Sequence, residues 1–259
     1  MSTALVTGAT AGIGHSFATL LAGRGHDLVL VARDRARLDD VAGQLRTEHR
    51  VEVEVLVADL ADRVQVQTVA DRVADRARPV DLVVNNAGFA LAASFLEDEV
   101  ADEERLLDVH CVAVLVLSHA AARAMVERGH GAIVNVSSTS SFVAMGTYSA
   151  AKAWTTVFSE GLARELAGTG VTVTAVCPGF THTEFHSRAA INMSRLPEFL
   201  WLDADAVARA GLDDVAKGRT VSVPGWQYKA LVGLLRVAPR GLVRRLSGEI
   251  SRRRRGGRH

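Results

Sequence analysis

The chain has 259 residues, 48% of them apolar, enough for a sizeable core in one large α/β unit or two small ones. Its apolar runs fall short of the ~20 residues of a membrane-spanning helix, and strand-and-turn sequence already begins at residue 3, so no signal peptide is expected. The formal charge of +1 hides an asymmetry: residues 236–259 hold nine arginines against one acid, Glu249, a local +8 that leaves −7 on the remainder.

Along the chain, short β-branched runs alternate with stretches of helical length. Strands are expected at 3–7 (TALVT), 27–32 (DLVLVA), 51–58 (VEVEVLVA), 80–85 (VDLVVN), 131–137 (GAIVNVS), 171–176 (VTVTAV) and 219–223 (RTVSV). Helices are expected at 12–24, 34–47, 62–77, 99–127 and 149–167. Several strands are apolar almost throughout, as in a parallel sheet covered on both sides. The expected fold class is α/β: a single doubly wound Rossmann-type domain with a mainly parallel seven-stranded sheet and helices on both faces. No linker or fixed-period repeat interrupts it. The domain should span residues 1–247, and 248–259 should be a basic, disordered tail.

The first strand runs into VTGATAGIG, with Gly8, Gly12 and Gly14 opening a helix. A glycine-rich strand-to-helix turn admits a pyrophosphate close to backbone, and the helix start favours its charge. Taken alone, such a turn also serves as a plain tight connection; its place in the first βα turn favours the dinucleotide. At the end of the second strand, LVLVARDRARL puts Arg33 first and Asp34 after it. An arginine there accommodates the 2′-phosphate of NADP(H), whereas an acid would bond the ribose of NAD(H). The alternative reading of Arg33 is an exposed charge at a helix start, with Asp34 an N-cap. NADP(H) is the preferred cofactor, with NAD(H) as the alternative.

TYSAAKAW places Tyr148 and Lys152 one helical turn apart, in a chain with three lysines and 27 arginines. A phenol with a pKa near ~10 gives up its proton reluctantly; a nearby ammonium is expected to lower that value, so that the phenol can exchange a proton with a carbonyl or alcohol oxygen. Alone, the pair would more simply share a solvent face. Three further motifs, NVSST with Ser138, VNNAG (84–88) and CPGFTHT (177–183), end or follow the fifth, fourth and sixth strands, the edge where ligands bind in such sheets.

In this order and spacing the motifs TGxxxGIG, VNNAG, NVSST, YxxxK and CPGFTHT resemble the short-chain dehydrogenase/reductase family over essentially the whole chain. The resemblance implies Tyr148 as acid/base, Lys152 on the nicotinamide ribose, and Ser138 orienting the substrate carbonyl. It implies that Gly8, Thr10, Gly12, Ile13 and Gly14 line the pyrophosphate and adenosine, and that Asp59 and Leu60 meet the adenine. Asn86, Ala87 and Gly88 would support the cofactor, and Pro178, Gly179, Thr181 and Thr183 would flank the nicotinamide. Many members carry an asparagine whose backbone carbonyl holds a water on a proton relay from the lysine; here LLDVHCVAVL has His110 at that place. The carbonyl survives, and the imidazole is either a relay member or a packed core histidine. The interval from Ser138 to Tyr148 is also shorter than in many relatives, which leaves open whether Ser137 or Ser138 faces the substrate.

Residues 180–202 form a long apolar insert, rich in Phe180, Phe185, Ile191, Met193, Leu196, Phe199, Leu200 and Trp201, expected to cover a hydrophobic carbonyl or alcohol substrate. Residues 226–246 read as an amphipathic helical segment that covers the substrate entrance, packs on a partner subunit or lies on a membrane. Cys111 and Cys177 sit in apolar surroundings and should be buried free thiols, which with the rest suggests the cytoplasm. HTEFH does not match a zinc motif, so His182 and His186 are expected on the insert's surface and no metal is expected. The reading is an NADP(H)-dependent oxidoreductase acting on an acyl, steroid-like or other lipid ketone, assembled as a homodimer or homotetramer. Alternatives are a catalytically silent dinucleotide-binding regulator, an NAD-dependent alcohol dehydrogenase, and peripheral membrane contact at the inner face through the arginine tail; nucleic acid is not an expected partner.

Overall fold

Strands form where the β-branched runs lie. β1 (Thr3–Thr7), β2 (Asp27–Ala32), β3 (Val53–Val57), β4 (Leu82–Asn85), β5 (Gly131–Val136), β6 (Val171–Val176) and β7 (Val221–Ser222) make one sheet, ordered β3-β2-β1-β4-β5-β6-β7. Every pairing is parallel. The computed structural model describes residues 2–93, 95–185 and 197–238. All seven expected strands are present, β3, β4, β5 and β7 shorter than the expected runs.

The helices are α1 (Gly12–Gly23), α2 (Arg35–His49), α3 (Arg63–Ala74), α4 (Val100–Leu107), α5 (Ala113–Arg128), α6 (Gly146–Glu165), α7 (Ala204–Ala216) and α8 (Trp226–Val237). Phe17 and Leu21 of α1, Leu38 and Leu45 of α2, and Val207 and Leu212 of α7 form one buried layer with the sheet. Val66 and Val69 of α3 with Leu117 and Met125 of α5 form the other. Each such fully buried side chain contributes about 1.5–3 kcal/mol of transfer free energy, so the two layers fix the sheet between them. Asp34, Asp62 and Asp203 cap α2, α3 and α7 by accepting from amides two or three residues on. By contrast, α1 starts from Ala11 with no side chain on its first amides.

The helix expected over 99–127 is interrupted. α4 and α5 are joined through a π turn, Asp108–Val112, that carries His110 inward. Between Val100 and Arg128 the helix is long and apolar enough, by length and composition alone, to cross a membrane, although its uninterrupted apolar runs stay short, as the sequence shows. Half of its most apolar window is buried within the protein, where Leu117, Ala121 and Met125 belong to the core.

Strand order reverses between β1 and β4, so their carboxyl ends open a crevice at the switch point, the usual ligand position in this architecture. Cys111 and Cys177 are free; Cys177 is buried as expected, whereas Cys111 is only half-buried. Ile191, Met193, Leu196 and His186 of the insert, residues 239–246 of the C-terminal segment and the tail 248–259 lie outside the described residues.

Candidate active site

The glycine turn is shaped by contact with two neighbouring segments. Gly8 and Gly12 have φ of +66° and +54°, and a Cβ on Gly14 would lie 2.2 Å from the Gly8 carbonyl oxygen and 2.3 Å from Asn86 Nδ2. Asn86 Nδ2 donates to the Thr7 carbonyl at 2.9 Å, while Thr7 Oγ1 accepts from the amides of Asn86 (2.9 Å) and Ala87 (3.0 Å). The Asn86–Ala87–Gly88 turn is thereby bonded to the end of β1. Thr183 closes the third side: a Cβ on Gly12 would be 2.8 Å from its Cγ2. Thr10 and Ile13 are half-buried beside the turn.

Arg33 is exposed at the tip of β2. Asp34 is the N-cap of α2, accepting from the Arg37 amide, and Arg37 meets Glu184 at 3.3 Å. Asp59 is half-buried next to buried Leu60. Burial works to raise the Asp59 pKa, but hydrogen bonds from the Ala61 amide and Arg105, with the charges of Arg105 and Arg33, hold it below the ordinary carboxylate value. The Arg105 contact is 2.6 Å.

At the other end of the crevice, α6 carries Tyr148 and Lys152. The base of the helix is anchored by a buried amide relay: Asn85 Nδ2 donates to Asn135 Oδ1 (2.8 Å), and Asn135 Nδ2 to Ser159 Oγ (2.9 Å). Lys152 is buried, its Nζ donating to the Val136 carbonyl at 2.7 Å and standing 5.8 Å from the centre of the Tyr148 ring. Ser137 turns inward, donating from Oγ to the Lys152 carbonyl at 2.8 Å and sharing a hydrogen bond with Thr156 Oγ1 at 2.7 Å. Ser138 is half-buried on the other side of the strand end and hydrogen-bonds Tyr148. Strand alternation thus leaves Ser138 as the serine beside the phenol.

Burial sets the ionisation of this pair. It raises the Tyr148 pKa to about 12, with the Ser138 hydrogen bond acting in the opposite sense. It lowers the Lys152 pKa to about 8, with weaker upward contributions from Cys111 and Cys177. The expectation that Lys152 lowers the phenol is therefore corrected: desolvation raises it, opposed by Ser138 and not by the lysine, and the ammonium faces the ring and a carbonyl.

His110 is almost wholly buried, its ring edge-on to Tyr148 at 5.5 Å. Its Nε2 lies 3.1 Å from the Phe89 amide and 2.8 Å from the Phe89 carbonyl. A Cβ on Gly88 would be 2.5 Å from its Cε1, so glycine there makes room for the imidazole. Desolvation first, and then the Lys152 charge, hold its pKa well below the usual histidine value. The His110 carbonyl accepts from Thr155 Oγ1 at 3.2 Å.

The loop after β6 completes the site. Pro178 O accepts from the Thr139 amide at 2.9 Å, which ties the loop to the Ser138 segment. Thr181 is buried, its Oγ1 donating to the Gly179 carbonyl. Phe185 stacks at a tilt on Tyr148 at 5.9 Å. His182 is exposed, paired with Glu198 at 3.0 Å and stacked on Trp201 at 4.5 Å; no group among the described residues could hold a metal ion. Sequence reading missed Arg105, the Asn85–Asn135 relay and Tyr228. Tyr228 left one signal, being the other of the chain's two tyrosines at an apolar position of an amphipathic segment.

An all-parallel sheet with a glycine turn at its switch point and a serine–tyrosine–lysine group beside the crevice defines a dinucleotide-dependent oxidoreductase. The family model for short chain dehydrogenases matches residues 2–193, and the chain belongs to that family, whose members use a nicotinamide dinucleotide. Sulfoacetaldehyde reductase 2 of Chromohalobacter salexigens is 38% identical over 186 residues, 70% of this chain and 73% of that one. A short-chain dehydrogenase from Sphingobium yanoikuyae, solved in complex with NADPH, is 38% identical with a TM-score of 0.83, over 91% of this chain and 94% of that one. The bulky-bulky ketone specific alcohol dehydrogenase of Comamonas testosteroni is 32% identical with a TM-score of 0.78, over 92% and 95%.

Proposed function

We propose that the protein interconverts a ketone and a secondary alcohol on a hydrophobic substrate with NADP(H), Tyr148 serving as the acid/base. The grouping of Tyr148, Ser138 and Lys152 beside the glycine turn carries this reading, because a silent dinucleotide-binding regulator would not need it. The crevice fits the cofactor: the positive-φ glycine turn admits a pyrophosphate, Gly8, Gly12 and Gly14 leave no room for a Cβ, and Arg33 stands exposed with its charge acting on Asp59. When bound, the nicotinamide supplies or accepts hydride.

The protein's own groups do the rest. Tyr148, neutral at physiological pH with its pKa near 12, is a proton donor to a carbonyl oxygen in reduction and accepts a proton in the reverse direction. Ser138 donates to the same oxygen and holds it against the phenol. Lys152 places positive charge beside the ring and would hold the ribose of the bound cofactor. Phe185, Phe89 and Tyr148 give the reacting end an apolar lining, which supports a bulky lipid-like ketone. The Sphingobium and Comamonas proteins, bound to NADPH and specific for bulky ketones by their descriptions, support the cofactor and substrate readings respectively.

NADPH oxidation against ketones of increasing chain length tests the proposal, with Tyr148→Phe as control. Turnover that rises with chain length supports it; preference for a small anionic aldehyde, as in the name of the Chromohalobacter relative, overturns the substrate reading. Free thiols at Cys111 and Cys177 support a reducing, cytoplasmic setting. Exposed Leu115, Val126 and Val157 on α5 and α6 support a homo-oligomer, which light scattering would measure.

A further inference from the structure

Tyr228 lies on α8, away from the catalytic group, yet it is buried and bonded twice. Its hydroxyl accepts from the Phe180 amide at 3.0 Å and donates to the Leu200 carbonyl at 2.7 Å. One side chain therefore joins the segment that leaves β6 to the segment that returns from the insert. The two segments are also paired directly: Leu202 N donates to Phe180 O (2.8 Å) and His182 N to Leu202 O (3.0 Å) around a parallel bridge between Thr181 and Leu202.

The ring contributes as much as the hydroxyl. A Cβ on Gly179 would lie 2.0 Å from Tyr228 Cζ, so the aromatic face presses on bare backbone. Pro178, one residue earlier, accepts from the Thr139 amide next to Ser138. A line of contacts thus runs from α8 through Gly179 and Phe180 to the serine segment.

We infer that Tyr228 is a positioning residue: it sets the Pro178–Phe180 stretch against the reacting end, and so controls how the nicotinamide half of the cofactor is held, whereas the glycine turn on the adenosine side is fixed by Asn86 and the end of β1. The inference rests on the cofactor reading above. Removing the hydroxyl strands a half-buried amide and a half-buried carbonyl, and the loop shifts to find partners.

The test separates the two halves of the ligand. Wild type and Tyr228→Phe are titrated calorimetrically with NADPH and with adenosine 2′,5′-bisphosphate, which lacks the nicotinamide. Tyr228→Phe is expected to lose roughly tenfold in NADPH affinity, the scale of one stranded half-buried pair, and nothing for the fragment. Gly179→Ala, which pushes on the same ring from the loop side, should give the same split if Tyr228→Phe proves unstable. Equal loss on both ligands, or no loss on either, overturns the inference. Should wild type ignore the 2′-phosphate, the NADP(H) reading fails alone, and NADH with adenosine 5′-monophosphate replaces the pair. A wild type that binds none of the four overturns both.

Discussion

The Lys152 ammonium lies 5.8 Å from the centre of the Tyr148 ring and spends a hydrogen bond on the Val136 carbonyl. A buried cation with one carbonyl for company is poorly solvated, which is why its pKa drops to about 8 from an ordinary 10.5. Folding is therefore disfavoured wherever the unfolded lysine is protonated. Between about pH 8 and 10.5 the unfolded chain binds the extra proton, so stability rises with pH across that window.

Replacing that cation should expose the conflict between stability and activity. Lys152→Met is expected to unfold about 1–3 kcal/mol less readily than wild type at pH 7, and to lose nearly all turnover. Urea melts paired with the NADPH assay check it. A destabilised Met variant would mean that the Val136 bond outweighs desolvation.

The same ionisation should govern activity. Below pH about 8 the ammonium persists, and above it the charge fades. The value of kcat/KM, which reports the free enzyme, should decline on the alkaline side of 8. A flat profile to pH 10 would exclude Lys152 as the required cation.

Tyr148→Phe removes one oxygen and leaves the ring contacts to His110 and Phe185 in place. Turnover should fall about 10²–10⁴-fold, the usual share of a positioned acid/base. Binding of NADPH should stay within about twofold, because uncharged ring contacts persist. Calorimetry and steady-state rates distinguish the two quantities.

Arg33→Ala should raise KM for NADPH roughly tenfold, the value of one charge-assisted contact to phosphate, and leave NADH unchanged. An unaltered ratio of the two KM values would remove the reason for assigning a 2′-phosphate.

His110→Asn retains the backbone carbonyl that Thr155 bonds but vacates the ring's space against Gly88 and unties Phe89. Stability should drop about 1–3 kcal/mol from the unpaired backbone groups. The pH profile of kcat should not move, since the imidazole's hydrogen bonds go to Phe89. A shifted profile would enrol the imidazole in proton transfer.

The architecture was legible because its signals are local. Each apolar run became a strand, and the glycines, NNAG and YxxxK fell at strand or helix ends where spacing alone puts them. Ser138 could be separated from Ser137 only once the direction of β5 was fixed. What stayed hidden depends on tertiary distance. The phenol's pKa needed the depth of burial, which no spacing encodes, and Arg105 meets Asp59 across 46 positions. The π turn hid for a different reason, as Leu106, Val109, Ala113 and Leu117 still read as one apolar stripe.

That turn has a consequence for which changes the segment tolerates. A surplus residue advances everything beyond it by about 100° around the axis, and the chain here is built around that offset: Arg105 reaches Asp59 before it, and Leu117 enters the core after it. Substitutions within Asp108–Val112 keep the phase, whereas excising Cys111 alone would regularise the helix and rotate one of those contacts out of reach. The stretch should accept exchange of letters far more readily than a change in their number.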